Sequence, residues 1–183
     1  MTTERYEIDP SHTTIGFSAR HLAVSTVRGH FTKFSGGVEL IDGNPLSAKG
    51  EASIEINSIH TGSEQRDGHL KSGDFFDSEK YPTIRYSVTS VELVDGETYR
   101  VTGDLTIKDV TKPVVLEASV DARIPDPFGG KERVGLTVTG KINRMDFGLN
   151  WDGIAGAVPL ASHTIKLEVD LAVVSPATET ATA

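Results

Sequence analysis

The sequence predicts an all-β domain whose antiparallel strands close into a barrel-like calyx. Apolar and polar residues alternate with a period of two along most of the chain, as they do in strands with one buried face. Turn-forming pairs such as Asp95-Gly96 separate the alternating runs, which is a strong hairpin signal. Many strands with one apolar face must stack or close on themselves, and a closed barrel also removes unpaired strand edges.

Each alternating run is predicted to form one strand. In residues 13–21, Ile15 and Phe17 share one face, which we expect to point inward. Thr14 and Ser18 share the opposite face, which we expect to meet water. The other runs are residues 48–56, 84–94, 99–107, 114–124, 134–142 and 164–174. With shorter segments they predict about eight antiparallel strands.

Residues 61–79 interrupt the alternation with a polar, turn-rich segment. We predict a short helix at about residues 64–71, with Arg66, Asp67 and His69 forming local pairs that pin it to the barrel. A loop carrying Phe75-Phe76 follows. Two adjacent aromatic residues in a polar loop need an apolar surface, so we expect them to cap the barrel or cover its mouth.

The 183 residues are predicted to form one domain over residues 1–174, followed by a disordered tail over residues 175–183. The chain contains no cysteine, which excludes disulfides and zinc-thiolate sites. The amino terminus lacks a charged segment followed by an apolar run, and no stretch approaches the roughly 18 apolar residues of a membrane-spanning helix. We therefore expect a cytoplasmic protein without stable membrane insertion.

The net charge of −8 comes from 18 basic and 26 acidic residues. This balance argues against nucleic acid as a partner, because phosphate neutralisation needs clustered Lys and Arg. It also argues against electrostatic docking to anionic lipids. For a bound ligand it favours a neutral or weakly polar head group, unless Arg20, Arg28 and Arg144 cluster at the mouth.

The six histidines do not have the spacing of a metal site. No two of them lie four residues apart, and we predict neither a bound metal nor a cofactor. His21 shares a face with Ile15 and Phe17 and is either a ligand contact or a hydrogen-bonded rim residue. The chain has no thiol and no GxSxG motif, so we predict no catalytic residue. An enzyme that uses histidines at the barrel mouth remains the alternative from another class.

Residues 143–156 leave a strand and form a long connection, suited to a barrel rim. Phe147 and Trp151 in this connection are either ligand contacts or anchors of the loop, and the sequence leaves both interpretations open.

An ordered set of motifs spans residues 6–173. Its members are Tyr6-x-Ile8-Asp9-x-x-His12, Ile15-x-Phe17, His21, Val27-x-Gly29-x-Phe31, Thr61, Arg66-Asp67-x-His69-Leu70, Asp74-Phe75-Phe76-Asp77, Tyr81-Pro82, Gly103-x-Leu105-x-Ile107, Thr111-Lys112-Pro113-Val114 and Arg144-x-Asp146-Phe147-Gly148. Together they resemble the YceI-like family of polyisoprenoid-binding proteins. The resemblance implies an extended lipocalin-like barrel with an internal tunnel for an isoprenoid or acyl chain, often in a homodimer. Many relatives carry a signal peptide, and the family implies no catalytic residues.

We therefore expect a non-enzymatic carrier of a long apolar ligand, with a polyisoprenoid quinone or a related isoprenoid or fatty-acyl lipid favoured. Each buried CH₂ group contributes about 0.8 kcal/mol, so a few isoprene units suffice for binding. A structural or stress module with a filled core is a further alternative, because small barrels often fill their interiors. The candidate ligand-binding residues are Ile15, Phe17, His21, Phe31, Phe34, Phe75, Phe76, Tyr86, Leu105, Arg144, Phe147 and Trp151.

Overall fold

The computed structural model describes residues 1–156 and 158–176. The strands are β1 (Thr3–Ile8), β2 (Thr14–His21), β3 (Ser25–Phe31), β4 (Phe34–Ile41), β5 (Asn44–Glu55), β6 (Ile59–His60), β7 (Thr83–Asp95), β8 (Thr98–Ile107), β9 (Val110–Pro125), β10 (Glu132–Asn143), β11 (Ile154–Ala155), β12 (Val158–Pro159) and β13 (Thr164–Ser175). The one helix in this part of the chain, α1, spans Glu64–Lys71 as predicted. Short 3-10 turns occupy Ile56–Ser58 and Arg144–Phe147.

Eight strands form a closed antiparallel barrel in the order β1-β4-β5-β7-β8-β9-β10-β13, and β13 pairs back onto β1. The predicted fold class is confirmed. β13 pairs with β1 at Ile8↔Val173 and with β2 at Phe17↔Leu167. β1 and β2 therefore follow one another along the same edge of β13, as a single long strand interrupted at residues 9–13.

The barrel has two different ends. At the hairpin end, tight turns join β4 to β5 and β7 to β8, and a longer loop joins β9 to β10. Asp42 and Gly43 in the first turn have φ values of 51° and 67°, which suits a two-residue hairpin turn. At the helix end lie α1, the loop at residues 72–82 and the long connection at residues 144–163, which contains β11 and β12.

One junction of the barrel wall is only partly closed. β5 and β7 pair from Glu55↔Thr83 to Glu51↔Ser87, and the pairing continues no further toward the hairpin end. Residues 44–50 and 88–95 therefore face each other without backbone pairing, although each strand is bonded to its other neighbour. We call this opening in the wall the slit.

Side chains alternate across the wall as the sequence predicts. The inward residues of β13, such as Leu167 and Leu171, line an internal cavity, whereas the outward Lys166, Glu168 and Asp170 are exposed. The prediction that Ser18 meets water was wrong. Ser18 does not line the cavity, but only 5% of it is exposed, because it pairs between Arg28 of β3 and Lys166 of β13, whose long side chains flank it on the outer wall.

The last strand continues one residue beyond the predicted domain boundary. Ser175 ends β13, and its hydroxyl accepts a hydrogen bond from the Glu132 amide at 3.0 Å. Residues 177–183 of the predicted tail lie outside the described residues. Within the described part of the chain, no helix has the length and apolar character needed to span a bilayer.

Candidate ligand cavity

The barrel encloses a cavity of about 640 Å³, within the range of roughly 300–1,000 Å³ typical of small-molecule sites. Its lining extends from Tyr6 near the hairpin end to Trp151 at the helix end and is predominantly aliphatic and aromatic. Many inward side chains, including Ile15, Phe17 and Leu116, are half-buried. They face this cavity instead of one another, so the barrel interior is open and not a filled core.

The hairpin end of the cavity is closed by a small apolar cluster of Tyr6, Leu40, Val134 and Val173. Tyr6 is only 3% exposed, and its hydroxyl donates to the Glu132 carboxylate at 2.7 Å. Burial and this nearby negative charge raise the pKa of Tyr6 well above its ordinary value. The phenol therefore stays protonated as a donor and seals the base of the cavity.

The helix end is covered by an aromatic cap. Phe75 and Phe76 are buried in the larger core cluster and also line the cavity. The loop that carries them is held to α1 by backbone hydrogen bonds from Phe75 to Ser72 and from Phe76 to Leu70, both at 3.0 Å. Both rings are therefore buried against apolar residues at the end of the barrel, as predicted for two adjacent aromatic residues in a polar loop.

Beside this cap the cavity lining becomes partly polar, with Arg20, His21, Thr61, Arg66, His69, Trp151, Leu160 and Ala161. We call this part of the lining the mouth. The Trp151 ring packs edge-on against His69 at 4.8 Å and lies 5.5 Å from the Phe75 ring. His69 Nε2 lies 2.8 Å from an Asp74 carboxylate oxygen, which fixes the imidazole between the aromatic rings and solvent. One wall of the mouth is therefore aromatic and rigidly supported.

Arg144 holds the connection that forms the other wall of the mouth. Its buried guanidinium donates to the carbonyls of Leu149 and Trp151 at 2.6 and 2.8 Å. It also donates to the Ser162 carbonyl at 3.0 Å and to the Asp152 carboxylate at 3.3 Å. Burial lowers the pKa of Arg144, and Asp152 opposes that shift. Arg144 borders the cavity, but its donors bind the chain itself.

The predicted local pairing in α1 is present with a different partner. Buried Asp67 accepts from the Thr61 amide at 2.9 Å and from its hydroxyl at 2.5 Å. Arg66 donates to the same hydroxyl at 2.8 Å and to the Thr61 carbonyl at 2.7 Å. Arg66 and His69 also border the cavity, which the sequence interpretation missed because it assigned both residues to the helix alone.

Most of the predicted ligand-binding residues line the cavity: Ile15, Phe17, His21, Phe31, Phe75, Phe76, Tyr86, Leu105, Arg144 and Trp151. Sequence analysis did not select Tyr6, Leu40, Val134 or Leu171, although period-two alternation places them on inward faces. The Tyr86 hydroxyl donates to the carbonyls of Val101 and Val114 at 3.2 and 3.1 Å. Burial raises the pKa of Tyr86 to about 12, so the middle of the cavity stays uncharged.

Two predicted lining residues lie elsewhere. Phe147 is 2% exposed and packs in the core beside Val114, so it anchors the connection and does not contact the cavity. Its 3-10 turn ends at Gly148, whose positive φ reverses the chain. Phe34 is half-buried outside the cavity lining. Its pairing partner on β5, Ile54, lines the cavity instead.

The three arginines considered for a charged head group do not cluster. Arg20 borders the mouth, and its guanidinium donates to the Thr26 hydroxyl at 2.9 Å and to the Ala23 carbonyl at 2.8 Å. Arg28 lies opposite Ser18 in the β2–β3 pairing, on the outer wall, and does not line the cavity. The Arg144 guanidinium already donates hydrogen bonds to backbone carbonyls. Of the six histidines, His21 and His69 border the cavity. No three His, Asp or Glu side chains among the described residues are placed to hold one metal ion.

A closed antiparallel barrel around a long, apolar cavity defines a calyx protein. The YceI-like domain model matches residues 6–173. Protein YceI of Escherichia coli O157:H7 is 40% identical over 149 residues, covering 80% of this chain and 77% of that protein. The chain belongs to the YceI-like family.

Solved structures agree with this assignment. The crystal structure of Campylobacter jejuni YceI protein is 30% identical, with a TM-score of 0.73 over 85% of this chain and 88% of the other. A polyisoprenoid-binding domain from Saccharophagus degradans is 16% identical, with a TM-score of 0.68 over 93% of this chain and 98% of that domain. At this identity the second likeness establishes the shared fold.

Proposed function

We propose that the protein binds a long-chain apolar lipid inside the barrel, with an isoprenoid chain such as that of a polyisoprenoid quinone favoured. The observation that carries this proposal is the continuous apolar cavity from Tyr6 to Trp151. The Saccharophagus degradans neighbour, which binds polyisoprenoids, supports it through the shared fold. Burying one CH₂ group contributes about 0.8 kcal/mol, so a cavity of this length supplies affinity without directed polar contacts.

The two ends of the cavity orient the ligand. The apolar cluster around Tyr6 closes the base, so the hydrocarbon tail points toward the hairpin end. The hydrogen-bonding side chains His21, Arg66 and His69 border the mouth, where they face the head group. Because Arg66 is held by Thr61 and Arg144 by backbone carbonyls, we favour a neutral head group that accepts hydrogen bonds, as a quinone does.

The open interior favours this proposal over a structural module with a filled core. The enzyme alternative has His21 and His69 at the mouth, but His69 is paired with Asp74 and packed between aromatic rings, which suits a structural role. Incubation with a polyisoprenoid quinone, followed by recovery and mass analysis of the lipid, separates these alternatives. A carrier returns the lipid unchanged, whereas a modified product would establish catalysis.

Binding can be measured through Trp151, the one tryptophan of the chain, because it borders the cavity. Titration with a short-chain ubiquinone should quench its fluorescence in a saturable manner. Ala118 is buried on the lining, and Ala118→Phe should narrow the cavity and weaken binding by about tenfold. The control is Val115→Phe on the outer wall, where Val115 is exposed. Equal affinities for both variants would place the ligand outside the barrel.

Native mass spectrometry of the gently purified protein provides an independent test. Retention of a co-purified lipid, or uptake of an added one, supports the proposal, and an apo mass that never changes contradicts it. The homodimer and the cytoplasmic location expected from the sequence stay predictions. Light scattering across a concentration series checks the first, and cell fractionation checks the second.

A further inference from the structure

The cavity extends to the slit between β5 and β7. Pro45 and Ala48 on the β5 side and Val91 on the β7 side all line the cavity. These residues lie beyond Glu51↔Ser87, the last backbone pair of the junction toward the hairpin end. The apolar interior therefore adjoins the outside of the barrel through a stretch of wall that no backbone pairing closes in the described chain.

Both strands that border the slit carry a bulge beside it. β7 has one extra residue relative to β8 between Val88 and Ser90, immediately after its pairing with β5 ends. β5 has extra residues relative to β4 between Asn44 and Lys49. A bulge bends its strand and interrupts regular pairing, so the slit follows from the strands that form it.

Leu93 shows that the inward face of β7 meets solvent beside the slit. It pairs with Tyr99, which lines the cavity, and it shares the face of Val91. Leu93 is nevertheless 54% exposed, and Leu46 on the β5 side is 50% exposed. By contrast, the inward Val173 is 5% exposed where β13 is paired on both sides. The apolar lining thus continues through the slit to the surface.

The volume of the cavity limits how much of a long chain it can enclose. A CH₂ group takes up about as much room as a water molecule, about 30 Å³, so 640 Å³ holds about 20 carbon atoms or about four isoprene units. A longer chain must leave the barrel. The cluster around Tyr6 covers the base, and in the proposed function the head group occupies the mouth, which leaves the slit for the distal end.

We propose that the slit lets the distal end of the bound chain leave the barrel, so that the protein accepts polyprenyl lipids longer than its cavity. The proposal rests on the proposed function, because it concerns the tail of the same ligand. The units next to the head group fill the cavity, and further units pass between Ala48 and Val91 and contact Leu46 and Leu93. Because these further units keep part of their surface in water, affinity should rise more slowly with chain length once the cavity is full.

Two ubiquinones test the slit: a short-chain one whose tail fits the cavity, and one with about eight isoprene units, about twice what the cavity holds. Leu93→Glu should leave the short-chain affinity unchanged and weaken long-chain binding about fivefold, because a carboxylate replaces the apolar contact with the emerging chain. Val115→Glu is the matched control, since Val115 is 52% exposed on the outer wall, and it should bind both as the wild type does. Trp151 quenching measures all four affinities.

A label beside the slit detects the emerging chain directly. The chain contains no cysteine, so Leu93→Cys and Val115→Cys each place an environment-sensitive fluorophore at one position. Long-chain ubiquinone should shift the emission of the label at position 93 to the blue, because the tail makes its surroundings less polar, and short-chain ubiquinone should not. The label at position 115 should respond to neither.

Three results would overturn the proposal: wild-type long-chain affinity in Leu93→Glu, an equal loss in Val115→Glu, or a label at position 93 that ignores the long chain. Any of these with normal short-chain quenching of Trp151 refutes the slit proposal alone, whereas no quenching by either ubiquinone refutes the proposed function and the slit proposal with it. A change from dimer to monomer in Leu93→Glu at unchanged long-chain affinity would assign the slit to a strand of a second copy. Thermal melts should show the wild-type fold in both glutamate variants, because both residues are exposed.

Discussion

The hairpin end and the helix end close the same barrel by different means. At the hairpin end the strands close it themselves, through tight turns and the buried cluster of Tyr6, Leu40, Val134 and Val173. At the helix end the closure comes from inserted segments, residues 61–82 and 144–163, which carry the cap and the mouth. An end built from the sheet is covered by its own turns and side chains, with only the slit left unpaired beside it, whereas an end built from insertions is covered by separate segments.

The polar interactions follow the same division. At the hairpin end Arg133 bridges Asp9 at 2.5 Å and Asp126 at 3.0 Å. The hydrogen bonds that Asp9 accepts from Arg133 and Ser11 lower the pKa of Asp9. At the helix end a single guanidinium, that of Arg144, satisfies backbone carbonyls from across a long connection. The hairpin end is therefore stabilised by several pairs, whereas the long connection at the helix end depends on Arg144.

The largest expected effect is that of Arg144→Ala. The change leaves the buried carbonyls of Leu149 and Trp151 without donors, so it should lower the free energy of unfolding by about 3–5 kcal/mol. Urea unfolding measures this loss of free energy. Ubiquinone titration should show weaker binding, because the connection that forms one wall of the mouth is no longer held in place. Arg100→Ala is the control, since the exposed pair of Arg100 with Glu92 contributes at most about 1 kcal/mol. Similar losses in the two variants would contradict the role of Arg144.

Substitutions at two neighbouring aromatic residues should affect stability and ligand binding to different extents. The rings of Phe17 and Phe31 lie 5.6 Å apart, but Phe31 is buried and Phe17 is half-buried on the cavity. Phe31→Ala should cost about 3 kcal/mol of unfolding free energy. Phe17→Ala should cost about 1–2 kcal/mol, because its ring already faces open space, and should weaken ubiquinone binding more. Thermal melts and titrations measure both, and the reverse pattern would show a closed core.

Tyr6→Phe tests the seal at the hairpin end. Loss of the hydrogen bond to the Glu132 carboxylate should cost about 1–2 kcal/mol near neutral pH. Because the folded pKa of Tyr6 is raised, its contribution is present below about pH 10, the unfolded value, and falls as pH rises above it. Urea unfolding across this pH range should show that the variant loses less unfolding free energy at alkaline pH than the wild type does. The remaining loss reflects Tyr86, whose pKa is raised to about 12.

The smallest effect is expected on the outer wall between the two ends. Thr14 is exposed, so Thr14→Glu should change the unfolding free energy by no more than about 0.5 kcal/mol. Ser18→Glu, on the same face but buried, should cost more, about 1–2 kcal/mol. Thermal melts compare the pair, and equal costs would show that the flanking side chains do not cover Ser18.

The barrel strands and their hairpin turns were predictable because the sequence patterns that indicate them are local. Alternation and Asp-Gly turns identified β2, β5, β7, β8, β9, β10 and β13. β4 escaped detection because Gly36 and Gly37 interrupt its alternation. Both glycines are needed there, since a Cβ at Gly36 would lie 2.2 Å from the Glu51 carbonyl oxygen and one at Gly37 2.4 Å from that of Tyr6.

The helix end was less predictable because its contacts join residues far apart in sequence. Trp151 meets His69 only after residues 61–82 and 144–163 fold over the same mouth. Phe147 and Trp151 carry the same kind of local signal, yet one anchors the connection and the other lines the cavity. Which of the two lines the cavity depends on the chain reversal at Gly148 and on the backbone carbonyls to which Arg144 donates. Alternation of apolar and polar residues predicts neither of these.

The slit between β5 and β7 has a consequence for the protection of backbone amides. In residues 44–50 and 88–95 the amides that face the opening have no partner strand across it, whereas β10 and β13 pair along their entire lengths. Deuterium uptake should therefore begin at the slit and reach the β10–β13 junction last, at the free energy of global unfolding. A ligand tail that fills the base of the cavity beside Ala48 and Val91 should slow uptake at the slit first, so exchange there reports how deeply the chain is occupied.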